Sequence, residues 1–208
     1  MTKYRYIIFV VLGSILLLVT ALNAYVSIQQ NYEIKKMQLE NDFNTVLIEN
    51  MIFSRQFELQ SEGSILSENI VLESDLRKDI SIKEIFQDKR SLLIFRFSEN
   101  HCDACISQQF DALKNRSKDQ NQKVEPVLLA NYSSIRQIKV LMNTYNLHFP
   151  IYNLKQELEI PIEALNIPYF FILNEDLVCR SFFSVIKESE ELTNSNIEAL
   201  LSSTYYTN

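Results

Sequence analysis

Apolar residues run from Tyr6 to Val26 with only Gly13, Ser14, Thr20 and Asn23 between them and no charge, which predicts a helix long enough to cross a bilayer. Beyond it the pattern changes. Ile28, Ile34, Met37, Phe43, Val46, Leu47 and Met51 recur at mixed three- and four-residue steps, predicting a helical stalk over 27–62. Its register is too loose for a sustained a/d seam, so a spacer helix fits better than a dimerising coiled coil. Ser61-Glu62-Gly63-Ser64 carries the only glycine outside the apolar run and marks the boundary of a main domain over 63–208.

Within that domain the apolar positions change period. Ile70-Val71-Leu72 and Ile80-Ser81-Ile82 read as short strands, Lys83 to Gln87 as a helical turn, and Leu92 to Phe97 as a buried strand. A helix from Ile106 to Asn115 carries Ile106, Phe110 and Leu113 on one face. Val124 to Asn131 is a second strong strand. Ser133-Ser134 then caps a helix running to about Asn146, striped by Ile135, Ile138, Leu141, Met142 and Tyr145. Strand, helix, strand, helix implies parallel strands with right-handed crossovers. Pro150-Ile151-Tyr152 is a short extended piece and Pro161 to Leu165 a helical turn. Tyr169 to Leu173 and Leu177 to Phe183, joined by Asn174-Glu175-Asp176, form a hairpin. A closing helix through Ile197, Leu200 and Leu201 starts after Asn194 or Asn196.

Charge narrows the partners and sets the topology. Of 20 basic and 26 acidic residues, Lys3 and Arg5 precede the apolar run, leaving the rest net acidic by 8. No basic stripe with interleaved aromatics accompanies that balance, which argues against nucleic acid. The next basic residues are Lys35 and Lys36, so the positive-inside tendency places the N-terminus in the cytoplasm and the main domain outside it, periplasmic or at the cell surface. A cleaved signal peptide is the alternative. The length of the run and the poor small-x-small site at Leu22-Asn23-Ala24 favour a retained anchor. Either way the domain meets conditions in which disulfides persist.

The chemistry centres on Cys102-Asp103-Ala104-Cys105, which follows the strand Leu92–Phe97 and opens a helix. Positions i and i+3 share a helix face, so the two cysteines can close a small disulfide ring. Exposed N–H groups at a helix start favour a thiolate on Cys102, and Cys105, one turn in, is placed to resolve a mixed disulfide. Two neighbours tune the pair in opposite senses: a cationic His101 would favour the thiolate, and Asp103 would disfavour it. Cys179, between Val178 and Arg180 in a strand, reads as a packed core thiol. Cys102, Cys105, His101 and His148 could be assembled into a zinc site on paper, but no second metal-ligand spacing supports it, and neither metal nor another cofactor is expected.

The order of elements from Ile65 to Leu201 resembles the thioredoxin superfamily, and more narrowly its bacterial, membrane-anchored, extracytoplasmic TlpA-type branch. Ile94-Phe95-Arg96-Phe97-Ser98 before the cysteines, Tyr145-Asn146-Leu147-His148-Phe149-Pro150-Ile151-Tyr152, and Leu165-Asn166-Ile167-Pro168-Tyr169-Phe170-Phe171-Ile172-Leu173 carry the likeness. It implies a thioredoxin-like three-layer α/β fold with a mixed central sheet. It also implies a cis Pro168 facing the Cys102–Cys105 pair, with the backbone of Ile167 docking an extended substrate by strand addition. The chain departs from the pattern in having no Trp before the first cysteine, Arg96 where thioredoxins bury an acid, and Gln108 where relatives carry one. Glu99 and Asp103 are the nearby acids, and each reads as a solvated loop carboxylate rather than the proton acceptor for Cys105.

Two function classes fit these residues. One is a membrane-tethered thiol–disulfide oxidoreductase acting on protein thiols or disulfides and fed by an upstream membrane electron donor. An acid at 103 and no proline at 104 favour a reducing poise. The other is a non-catalytic module that uses the same fold for peptide docking or redox sensing.

Overall fold

The computed structural model describes residues 2–74, 78–86, 89–116, 124–185 and 190–202. The chain forms two compact units, Met1–Asn50 and Met51–Asn208. The described residues of the first are helical, part of α1 (Thr2–Ser61), and Leu16, Leu17, Leu18 and Leu22 stand exposed. Among the described residues α1 is long and apolar enough to cross a membrane.

Among the described residues the second unit holds a seven-stranded mixed sheet. Its strands are β1 (Val71–Glu73), β2 (Asp79–Ser81), β3 (Ser91–Ser98), β4 (Glu125–Asn131), β5 (Ile151–Leu154), β6 (Tyr169–Asn174) and β7 (Cys179–Ser184), in the order β2-β1-β5-β4-β3-β6-β7. β3, β4 and β5 run parallel and the remaining pairs antiparallel. Two successive right-handed crossovers in one direction put α2 (Asp103–Arg116) and α3 (Ile135–Tyr145) on one face of the sheet. α4 (Glu190–Ser202) joins them there: Phe110, Leu113, Ile138, Ile197 and Leu201 pack in one core with Leu93, Phe95 and Phe97 of β3.

All eight residues of β3 are buried, and their period of two splits them between two cores. Leu92 and Ile94 face the other core, covered by Leu66, Ile70, two short 3-10 helices (Ile82–Ile85 and Pro161–Leu165) and the segment through Leu158 and Ile160. This third layer is therefore thin and largely irregular. Aromatic rings fill the helical side, with Phe95 stacked on Phe170 at 4.3 Å between centroids and edge-on to Phe110 at 6.0 Å. Such pairs contribute about 0.5–1.5 kcal/mol each beyond the area they bury.

The last turns of α1 belong to this unit. The Glu58 and Glu62 carboxylates, one helical turn apart, accept the N–H groups of Ser184 and Ser181 along β7 at 2.7 and 2.8 Å. The Ser61 hydroxyl accepts the Ile162 N–H at 2.9 Å. α1 ends at Ser61, and Gly63 turns the chain with a φ of 78°, a left-handed conformation in which glycine carries no Cβ penalty.

Three expectations change. The helical turn read over Lys83 to Gln87 lies at Ile82–Ile85, started by the Ser81–Glu84 capping box, while Gln87 falls outside the described residues. α4 includes Asn194 and Asn196 instead of starting after them, because its buried stripe begins a turn earlier, with Thr193 below Ile197 and Leu201 at four-residue steps. The Ile167–Pro168 bond is trans, as no described peptide bond is cis. Asn166, two residues before Pro168, closes the preceding 3-10 helix in the left-handed region (φ 49°, ψ 44°).

Candidate redox site

β3 ends at Ser98 in the middle of the sheet, and a tight turn follows in which the His101 N–H donates to the Ser98 carbonyl at 3.1 Å. Cys102 is the N-cap of α2. Its carbonyl accepts the Ile106 N–H at 3.1 Å, so the helix begins on this residue. Cys102 is exposed and Cys105 buried, packed into the helical-side core with Phe110 and Leu113. The first cysteine of the pair thus stands exposed at the start of α2 and the second is sheltered one turn inside.

Asp103 is exposed in the first turn of α2, where a carboxylate suits the helix dipole. Tyr132, at the end of β4, registers the charges gathered here. Burial first, then the carboxylates of Asp103 and Glu99, push its phenol up to about 12. Glu99 is a structural tie between the CxxC turn and the start of α3, its Oε2 accepting from the Ser133 N–H at 3.3 Å and hydroxyl at 3.2 Å. Gln108 is half-buried. The fully buried polar residue of α2 is Gln109, whose Oε1 has no hydrogen-bond partner among the described residues.

Of the two opposed influences of His101 and Asp103, the one that needed a cationic His101 is weakened. The His101 Nδ1 accepts the Ser98 N–H at 3.1 Å, and the Asn166 side chain is near enough to the ring to affect its titration. Desolvation by burial, then the Arg96 guanidinium, lower its pKa from 6.5 to about 4, against smaller opposing effects of Glu163 and Asn166. At neutral pH the ring is uncharged and is held within the CxxC turn by the Ser98 N–H.

That loop holds Asn166, half-buried Ile167 and buried Pro168. β6 pairs with β3, placing Tyr169 opposite Arg96, so the predicted docking residues and the cysteines stand at the same end of adjacent strands. The Pro168 carbonyl accepts the Val185 N–H at 2.9 Å.

Beneath them lies a group that sequence reading did not assemble. Arg96, 3 % exposed, pairs with Glu163 through Nε–Oε1 at 2.9 Å and Nη2–Oε2 at 3.4 Å, and donates to the Phe97 carbonyl at 2.7 Å. The Tyr169 hydroxyl donates to Glu163 Oε1 at 2.6 Å. The signal for this cluster was Arg96 itself, because a charged residue in an otherwise apolar buried strand requires a counterion.

Cys179 is fully buried in the other core with Leu92 and Ile94, across the sheet from Cys105. Burial, then the Glu62 carboxylate, lift its thiol to about 12. His148 is exposed, and no metal-holding group of three His, Cys, Asp or Glu residues occurs among the described residues. A cavity of about 610 Å³ lies along β7, lined by Met51, Leu59, Phe182, Leu192 and Leu200, and the CxxC residues do not line it.

No protein-family model matches the chain, and no curated protein matches it. Solved structures do. The peroxidoxin BcpB of Mycobacterium tuberculosis is 8 % identical with a TM-score of 0.51, over 68 % of this chain and 98 % of that one. A thiol:disulfide interchange protein from Bacteroides sp. is 8 % identical with a TM-score of 0.50, over 69 % of this chain and 92 % of that one. A Chlorobium tepidum protein described as the thiol:disulfide interchange protein DsbE is 11 % identical with a TM-score of 0.50, over 67 % of this chain and 97 % of that one. At such identities the likeness is one of fold.

Proposed function

From a thioredoxin-like fold with a CxxC at its redox position, we propose that the chain is a membrane-tethered thiol–disulfide oxidoreductase that reduces protein disulfides outside the cytoplasm. The observation that carries the reading is the exposed Cys102 as N-cap of α2 with Cys105 sheltered one turn inside. Neighbours of the same fold described as thiol:disulfide interchange proteins support it. The apolar helix α1 and the basic residues before it support the tether and an N-in orientation.

In the forward reaction the Cys102 thiolate attacks one sulfur of a client disulfide. A Cys102–client S–S bond forms, the client bond breaks, and its second sulfur leaves as a thiolate. Deprotonated Cys105 then attacks Cys102 Sγ, forming the Cys102–Cys105 disulfide and expelling the client's other thiolate. The client gains two electrons and two protons, and the pair is oxidised. An upstream membrane dithiol donor restores the reduced pair by the same exchange.

The charges around the CxxC turn support the reducing direction. Strong oxidants of this chemistry stabilise their reduced form. Here His101 is neutral, Arg96 is matched by Glu163, and Asp103 adds a negative charge, leaving the helix N-terminus as the main stabilising influence.

The test is a trap. Cys105→Ala should strand mixed disulfides with clients, visible on non-reducing gels of membranes, abolished by reductant and absent from the Cys102→Ala/Cys105→Ala double variant. If neither single variant forms adducts and the wild-type pair does not cycle with dithiol, turnover is wrong and the chain is a docking or sensing module.

A further inference from the structure

We propose that Glu163 is a positioning residue of this redox site: it neutralises Arg96 beneath the CxxC turn and, through the 3-10 helix that Asn166 caps, holds the loop Asn166–Pro168 against His101. The assignment rests on the oxidoreductase reading above.

Three contacts join at Glu163. Both carboxylate oxygens engage the buried Arg96 guanidinium, and Oε1 also accepts from Tyr169, the first residue of β6. The Glu163 carbonyl accepts the Asn166 N–H at 3.1 Å, closing the 3-10 helix Pro161–Leu165 with Asn166 in the left-handed conformation. Asn166 lies close enough to His101 to affect its titration, the His101 Nδ1 is held by the Ser98 N–H, and His101 is covalently next to Cys102. Glu163 thus links the end of β3 and the start of β6 by its carboxylate, and the loop proposed to dock substrate by its carbonyl.

The charges act on the same spot. Arg96 disfavours a cation at His101 and Glu163 favours one, so both fields reach the residue adjoining the nucleophile. Without Glu163, an uncompensated guanidinium would remain buried, and a nearby positive charge favours a thiolate. A freed loop would also weaken docking while leaving the cysteines in place.

The test uses the full chain in detergent micelles, with melting curves to establish folding. Iodoacetamide labelling of Cys102 across pH, mapped by mass, reads the thiolate. A fluorescent peptide disulfide turned over with dithiothreitol reads KM and kcat. For Glu163→Gln the Cys102 labelling midpoint should fall by about half a pH unit or more, a roughly threefold gain in labelling rate below the midpoint. KM should rise at least about threefold, with a smaller change in kcat. Glu163→Asp, which keeps the charge, should return the midpoint toward wild type. Asn166→Ala should raise KM without moving the midpoint.

If Glu163→Gln fails to fold, Arg96→Met/Glu163→Leu, which leaves no lone buried charge, carries the test. It should keep the wild-type midpoint and show the raised KM, and an unchanged KM in that folded variant overturns the proposal. A folded Glu163→Gln with wild-type midpoint and KM overturns it as well. A wild-type chain that labels at Cys102 but turns over no disulfide sinks the oxidoreductase reading alone, because the labelling midpoints still decide whether Glu163 screens Arg96.

Discussion

Replacing His101 with Asn separates a neutral, hydrogen-bonded imidazole from a cationic one. Asn can present its Oδ1 to the Ser98 N–H that now donates to Nδ1, and it cannot titrate. The groups facing the ring are Arg96 from β3, Glu163 from the 3-10 helix and Asn166 from the loop before β6. Together with burial they lower the folded-state pKa to about 4 against 6.5 in the open chain. Above pH 6.5 the ring is neutral in both states and its contribution is fully present. As the pH falls, the unfolded chain binds the proton first, so stability declines from 6.5 and the loss is complete below 4. The unscreened linkage value of such a shift is about 3 kcal/mol, and solvent screening of a half-buried ring reduces it to roughly 1–2 kcal/mol.

For a chain of this length that corresponds to about 2–8 °C in melting temperature. The wild type should therefore lose that much more than His101→Asn between pH 7 and pH 4, other titrations being common to both. NMR of the imidazole should show it neutral at pH 5. Parallel losses in the two proteins, or a ring that titrates near 6.5, would refute a buried, neutral His101.

Two further outcomes follow from burial and charge. Iodoacetamide at pH 7 should label Cys102 first in the reduced chain and should label Cys179, buried with its thiol raised to about 12, only after denaturation; modification of Cys179 in the folded chain would show that the other core is open. A reporter fused after Asn208 should be active only outside the cytoplasm, and activity inside would reverse the orientation inferred from Lys3 and Arg5.

The elements readable in the sequence were those whose cause is local. β3 shows as an apolar run because both its faces are buried. α3 is bracketed by Ser134 and a left-handed Asn146, and the hairpin between β6 and β7 by Asn174-Glu175-Asp176. What escaped depends on partners distant in sequence. Arg96 and Glu163 are 67 positions apart, and nothing in Pro161–Leu165 marks its acid as a counterion. Glu58 in a charged stalk looks solvated, yet it is 8 % exposed because Ser184, 126 positions away, donates to it. The cis isomer of Pro168 rests on resemblance alone, and the bond is trans.

The same long-range contacts bear on where a client can add as a strand. β7 is an edge strand, and edges invite pairing with other chains. Two of its N–H groups, on Ser181 and Ser184, are taken by Glu62 and Glu58, and Ser181 sits in the left-handed region (φ 56°) near the register shift that disrupts this edge. β2, the opposite edge, has three residues and stands four strands from β3. In the proposed reaction an extended client is therefore directed away from both edges and toward the loop Asn166–Pro168, next to Cys102. Holding that loop in one conformation limits the entropy lost on docking, which is why the Arg96–Glu163 pair and His101 bear on turnover although neither supplies a reacting atom.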